Sequence, residues 1–99
     1  MIMATINSNI NTPLCEVVAE MVADMAKICR EQKKPTTWRQ KFCYAAPYID
    51  ACRTLNSVDD NYGWDSGKSI VLYLLANLNT YKGEKAKEFK SLLKAMTKG

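Results

Sequence analysis

A run of seven consecutive apolar residues, residues 70–76 (IVLYLLA), constrains the fold of this chain most. A helix built from such a run has no polar side, so other elements must surround it. A buried β-strand is the alternative for so short a run. The other segments show helical spacing, however, and none of them offers a second strand for pairing. We therefore predict a central helix over about residues 66–79.

The segment before this run predicts a first, amphipathic helix. Apolar residues recur at helical spacing from Leu14 to Ile28. Thr12 is a favourable N-cap, and Pro13 suits the first helical position. The helix must end before Pro35, because the residue that precedes a proline disfavours helical geometry.

A second helical region begins with a capping box. Thr37 is followed three residues later by Gln40, whose side chain can reach back to the cap. Pro47 interrupts the helical stripe that follows, because proline removes a backbone hydrogen bond and clashes with the preceding turn. We expect either one kinked helix or two short helices. In the second case Pro47 begins the second helix.

The remaining segments complete the predicted order of elements. Residues 57–65 are rich in Asp, Asn and Gly and predict a loop. Asp65 or Ser66 is expected to cap the central helix. Gly83 marks the break before a last amphipathic helix, which covers about residues 84–97.

These patterns predict an all-α fold, a compact bundle of four to five short helices around the central apolar helix. Residues 1–11 are polar and lack periodicity, so we predict a flexible N-terminal arm followed by a single helical domain over residues 12–99. A chain of 99 residues with 47% hydrophobic residues suffices for one core.

The composition argues against several chemistries. The chain has no histidine, which removes the usual general base near neutral pH and the commonest metal ligand. Its four cysteines form no CxxC pair, so a zinc site is not expected. The start of the chain lacks the features of a signal peptide, and no apolar run approaches the roughly 20 residues that span a bilayer. We expect buried, reduced thiols in a cytoplasmic protein that is not an enzyme and uses no metal or cofactor.

The formal net charge is +4, and the whole excess lies in residues 82–99, which hold six lysines and two glutamates. Four of these lysines share one flank of the last helix: Lys87, Lys90, Lys94 and Lys98. A solvated face is the plain interpretation. The functional alternatives are binding to phosphates of a nucleic acid or to an acidic protein surface. The scarcity of arginines, three in all, argues against sequence-specific DNA reading.

Two further sites are candidates. Tyr62 and Trp64 lie in the predicted loop, where they either fold back onto the core or act as exposed interface anchors. Residues 63–69 (GWDSGKS) end like a phosphate-binding loop, which makes Ser66, Gly67 and Lys68 a candidate anion-binding site. That motif requires four residues between its glycines and a preceding strand, and this chain has three residues and a loop. A capped helix start is preferred, although free amides beside Lys68 could hold a small anion.

Three acidic residues lie along one side of the first helix at intervals of four residues: Glu16, Glu20 and Asp24. We interpret the row as a solvated helix face. An acid/base or metal-binding row, or a contact for a basic partner, is the alternative.

Four segments of the C-terminal half resemble short helical proteins encoded by tailed phages and prophages. These segments are residues 47–51 (PYIDA), 59–63 (DDNYG), 69–77 (SIVLYLLAN) and 80–87 (TYKGEKAK), and the resemblance extends over residues 47–96. It implies expression in a bacterial cytoplasm and a host-directed binding role, such as blocking a defence complex. It implies no site residues.

We therefore expect a non-enzymatic protein-interaction module, a phage-encoded inhibitor or regulator that occludes a host complex through Tyr62, Trp64 and the lysine flank. Homodimerisation is a further way for a small bundle to complete its core. The alternatives are a nucleic-acid-binding accessory protein that uses the lysine flank, and a protein that sequesters a small anionic ligand.

Overall fold

The computed structural model describes residues 6–98, and within this range the chain forms five α-helices and one small antiparallel sheet. The elements are α1 (Leu14–Arg30), α2 (Trp38–Lys41), α3 (Ala46–Cys52), β1 (Asn61–Tyr62), β2 (Asp65–Ser66), α4 (Gly67–Ala76) and α5 (Glu84–Met96). The prediction of an all-α bundle of four to five short helices is confirmed. None of these helices is both long enough and apolar enough to cross a membrane.

Helix α1 begins one residue later than predicted. Pro13 occupies the N-cap position, and the Thr12 hydroxyl accepts a hydrogen bond from the amide of Asn9 at 2.9 Å instead of capping the helix. The first two amides of α1 donate, each at 2.9 Å, to backbone carbonyls of the segment that follows α3. The start of α1 is therefore satisfied by a tertiary contact, which local sequence does not encode.

Two short helices follow, as one of the two alternatives predicted. The capping box is present, because the Gln40 amide donates to the Thr37 hydroxyl at 3.2 Å and the Gln40 side chain accepts from the Thr37 amide at 3.4 Å. Pro47 lies in the first turn of α3, where its missing amide costs no helical bond. Arg39 of α2 and Asp50 of α3 form a two-pronged ion pair at 2.8 Å.

Helix α4 packs between α3 and α5 and contributes its buried face to the core. Its N-cap is Ser66, whose hydroxyl accepts from the Ser69 amide at 3.1 Å, so one of the two predicted caps is correct. The helix is shorter than the predicted residues 66–79. The expectation that it is surrounded on every side is wrong for one face, since Leu72 is 48% exposed and Tyr73 is 54% exposed.

The core joins all four longer helices and the connections between them. Its largest fully buried side chains are Tyr81, Phe89, Leu14, Met21, Met25, Ile49, Leu74, Leu78 and Leu93. Tyr81 brings a polar group into this core. Its hydroxyl donates to the Asp24 carboxylate at 2.6 Å, and its ring meets that of Phe42 edge to face at 5.6 Å.

The residues just before α1 are tied to that helix by Glu20. The Glu20 carboxylate accepts from the amides of Asn7 and Ser8 at 2.6 and 2.9 Å and from the Ser8 hydroxyl at 2.5 Å. Partial burial opposes ionisation of Glu20, but these hydrogen bonds and the charge of Lys85 outweigh it and lower the pKa of its carboxyl. Residues 1–5 of the predicted flexible arm lie outside the described residues, and its flexibility stays a prediction.

Two of the three acids in the predicted solvated row therefore have structural partners. Glu20 binds the segment before α1, and Asp24 binds Tyr81. Glu16 is exposed, as a solvated face requires.

Candidate interaction surfaces

The segment predicted as a loop forms a short β-hairpin instead. Its strands pair Asn61 with Ser66 and Tyr62 with Asp65. Gly63 and Trp64 therefore form a two-residue turn between the strands. Gly63 has φ +62° and is followed by a residue of negative φ, the sign pattern of a type II′ turn. Glycine adopts that first position without steric cost, so the local sequence favours this hairpin geometry.

The turn places Trp64 at the tip of the hairpin, where its side chain is fully exposed. Tyr62, directly before the turn, is 46% exposed. Of the two alternatives left open by the sequence, folding back onto the core and exposure, the structure shows exposure. A large aromatic side chain that contacts so little of its own fold is free to contact a partner.

The base of the hairpin is held by backbone and side-chain hydrogen bonds. The Asp60 carboxylate accepts from the amides of Asn56 and Ser57 at 2.8 and 3.2 Å. The Gly67 amide donates to the Asp60 carbonyl at 2.6 Å, and the next amide, of Lys68, donates to a carbonyl of the preceding turn at 3.0 Å. These bonds join the hairpin to the start of α4, so Trp64 stands on an ordered base.

Glycine is required at position 67 because a larger side chain would not fit there. Its backbone angles are ones that other residues also adopt. A Cβ at Gly67 would lie 2.9 Å from the carbonyl oxygens of both Asp60 and Ser57. Two backbone groups cannot move aside as a flexible side chain can. The glycine therefore permits the close approach of the hairpin base to α4.

The same bonds remove the basis of the anion-binding hypothesis. The amides of Gly67, Lys68 and Ser69 at the start of α4 are all hydrogen bonded within the chain. The expectation of free amides is therefore wrong, and only the exposed side chain of Lys68 remains from that proposed site.

The lysine flank is less uniform than the sequence suggests. Lys87, Lys94 and Lys98 are exposed, whereas Lys90 is half-buried and its Nζ donates to the carbonyl oxygen of Tyr81 at 2.6 Å. Lys90 thus stabilises the connection between α4 and α5. Three lysines of the flank are left for contacts outside the chain.

An apolar groove of about 290 Å³ lies where the end of α5 meets the turn that carries the hairpin. Ile10, Leu14, Val58 and Met96 line it, with Lys98 beside them. The structure therefore brings one lysine of the flank next to the loop that leads to the hairpin.

The four cysteines differ in their exposure. Cys29 and Cys52 are buried, and burial raises the pKa of the Cys52 thiol to about 12, which keeps it protonated and unreactive. The expectation of four buried thiols is wrong for Cys43, which is exposed, and holds only in part for Cys15, which is half-buried. Among the described residues no three His, Cys, Asp or Glu side chains are grouped as a metal site would require.

Sequence reasoning missed the exposed face of α4. Leu72 and Tyr73 lie on it, and the Tyr73 ring stacks on that of Tyr48 from α3 at 5.7 Å between centroids. The apolar run of residues 70–76 held a signal for this exposed face. A chain with only a few short helices has too few elements to cover a central helix on all sides.

Comparison of the chain with protein-family models, with curated proteins and with solved structures found no match. What the chain does must therefore be argued from its own residues.

Proposed function

We propose that this chain is a non-enzymatic protein-interaction module whose main anchor is Trp64. The observation that carries the proposal is a fully exposed tryptophan at the tip of a hairpin with an ordered base. Tryptophan is enriched among the few residues that dominate interface energies. Tyr62 flanks it as a second aromatic contact.

Two properties of the hairpin favour binding: the large surface area that an aromatic side chain can bury, and a base that is already ordered. An aromatic side chain buries roughly 150–250 Å² in a contact. At about 25 cal/mol per Å² this gives about 4–6 kcal/mol before the costs of association are subtracted. Because the hairpin base is already hydrogen bonded to α4, binding does not have to order it.

The biological setting of the proposal rests on the resemblance of residues 47–96 to short helical phage proteins. In that setting the module is a phage-encoded inhibitor or regulator that acts in the bacterial cytoplasm. It acts by covering a surface of a host complex, with a defence complex as the first candidate.

The test is affinity purification of tagged protein from nuclease-treated bacterial lysate, with wild type and two variants compared. Trp64→Ala should reduce recovery of a stoichiometric protein partner at least tenfold, which corresponds to about 1.4 kcal/mol. Tyr44→Ala is the matched control, because Tyr44 is an exposed aromatic residue outside the hairpin. Equal thermal unfolding of the three proteins shows that the loss is not a folding defect.

Two results would refute the proposal. One is a partner recovered equally by wild type and Trp64→Ala. The other is recovery that disappears altogether once nucleic acid is digested.

The second result would favour the other candidate function, binding of nucleic acid by α5. Its supporting observation is that Lys87, Lys94 and Lys98 are exposed on one flank. Affinity for a DNA duplex should then fall steeply with salt, with a slope that becomes shallower by about 0.9 for each phosphate contact removed. Lys94→Gln should flatten the slope, and Lys33→Gln, an exposed lysine outside the flank, should not.

A further inference from the structure

Helix α4 presents a second surface that is separate from the hairpin tip. Leu72, Tyr73 and Ala76 are exposed on it, and Leu75 is half-buried at its edge. Residues three and four apart are neighbours on a helix surface, so these side chains form one continuous apolar strip. We call this strip the α4 surface.

The neighbouring helices form the two sides of the α4 surface. On one side Tyr48 of α3 stacks on Tyr73, with 30° between the ring planes. On the other side a groove of about 380 Å³ separates α4 from α5, lined by Leu75, Lys90, Ser91 and Lys94. An apolar strip with a groove along one side is the shape that receives the apolar face of another helix.

Lysines lie at three places along this strip. Lys68 is exposed on α4 itself, and Lys94 lies across the groove. Lys41 lines a cavity of about 230 Å³ together with Ala76, at the far end of the strip. Among the described residues, no acidic side chain lines either of these two cavities.

From this combination we infer that the α4 surface binds an acidic amphipathic helix of a partner protein. Apolar side chains of that helix would pack on Leu72 and Tyr73, and its carboxylates would face Lys41, Lys68 and Lys94. Opposite charges around an apolar contact select the partner and raise the association rate.

A second copy of the chain fits this surface poorly. In a two-fold dimer the same patch meets itself, so Lys68 and Lys94 of one copy would face lysines of the other. Juxtaposed like charges cost several kcal/mol at an interface. The charge pattern therefore favours a different, acidic protein over homodimerisation through α4.

The inference goes beyond the proposed function, because it adds a binding site that does not involve Trp64. The proposed function and this inference can be refuted separately. Loss of binding in Trp64→Ala concerns the hairpin, and loss in a variant of Leu72 concerns the α4 surface.

The experiment uses three designed helical peptides as probes against the full-length protein. The first has a leucine stripe and glutamates on its polar face. The second has the same stripe with lysines, and the third has the composition of the first in scrambled order. We expect the acidic striped peptide to bind at least tenfold more tightly than the other two, with amide chemical-shift changes centred on α4. Raising the salt from about 0.1 M to 1 M should weaken this binding, because the screening length falls from about 10 Å to 3 Å.

Leu72→Ser should weaken binding of the acidic peptide at least tenfold. Ile10→Ser is the matched control, because Ile10 is an aliphatic residue of similar exposure, 55% against 48%, outside the α4 surface. Lys94→Glu should weaken binding more than Lys33→Glu, which changes an exposed lysine elsewhere.

Four results would overturn the inference. The first is equal affinity for the acidic and the basic peptide, and the second is unchanged affinity in Leu72→Ser. The third is binding to vesicles with an anionic lipid fraction that Leu72→Ser abolishes while no peptide binds, which would assign the surface to a membrane. Sedimentation showing a dimer that Leu72→Ser dissociates would equally refute it, in favour of a second copy.

Discussion

Replacing Tyr81 with phenylalanine tests the hydrogen bond that this buried side chain donates to Asp24. The substitution keeps the ring, so its edge-to-face contact with Phe42 at 5.6 Å survives. It removes only the hydroxyl, which donates to Asp24 at 2.6 Å. Burial and this acceptor both raise the pKa of the Tyr81 phenol, so the group remains a donor throughout the ordinary pH range.

The expected loss follows from the kind of bond and from its surroundings. Hydrogen bonds to charged groups contribute about 1.5–3 kcal/mol. Asp24 is partly exposed, so water can replace part of the bond, and we expect a loss of about 1–2 kcal/mol. For a domain of this size that corresponds to a fall of about 5–15 °C in the unfolding midpoint.

The assay is thermal and denaturant unfolding of Tyr81→Phe, Asp24→Ala and the double variant. Residues joined by a hydrogen bond show a coupling energy of about 0.5–3 kcal/mol in such a cycle. Tyr62→Phe is the control, because that half-exposed tyrosine lies outside the core, and it should change stability by less than about 0.5 kcal/mol. A Tyr81→Phe variant as stable as the control, or a cycle without coupling, would refute the reasoning.

Three further predictions concern the hairpin base, pH and the thiols. Gly67→Ala should destabilise the protein by about 1–3 kcal/mol in denaturant unfolding, because its Cβ meets two carbonyl oxygens at 2.9 Å; unchanged stability would contradict the close approach. The lowered pKa of Glu20 means that its stabilisation is complete above the ordinary value of 4.5 and is lost as the pH falls through the lower folded value. Unfolding midpoints between pH 6 and about 3 should therefore drop more for wild type than for Glu20→Gln, and parallel curves would exclude this role. A thiol reagent should modify the exposed Cys43 quickly and the buried Cys52 only on unfolding, as mass spectrometry of timed samples would show; equal rates would contradict their burial.

Sequence predicted best the features whose partners are close in the chain. The Thr37–Gln40 capping box and the Ser66 cap depend on contacts over three residues, and both are present. The cap of α1 was predicted wrongly at Thr12, because the amides at that helix start donate to carbonyls of the segment after α3, 40 and 42 residues further along the chain. No local rule reveals such a partner.

The hairpin was missed because its strands have two residues each, too few for an alternating pattern. One signal was available, a glycine at the first position of a two-residue turn, which is typical of type II′ hairpins. Tyr62 and Trp64 could be named from the sequence as aromatic residues in a loop. Their exposure depends on the direction in which the hairpin leaves α4, which is a tertiary property.

The exposed face of α4 shows the limit of hydrophobicity as a guide. A helix that is apolar all round predicts burial on all sides, yet the packing of α3 and α5 leaves Leu72 and Tyr73 uncovered. Which side remains open is decided by the positions of the other helices. The sequence therefore contained the apolar strip but not its accessibility.

The hairpin and the α4 surface are both attached to α4. Whether one partner binds both can therefore be tested. Gly67 joins the hairpin to the first turn of α4, and Leu72 lies five residues further along, a rise of about 7.5 Å. A partner that contacts both sites gains from an effective concentration at the second site once the first is bound. Loss of either anchor would then weaken binding of the same partner, and Trp64→Ala combined with Leu72→Ser would show a coupling energy. Two separate partners would instead each respond to one variant only.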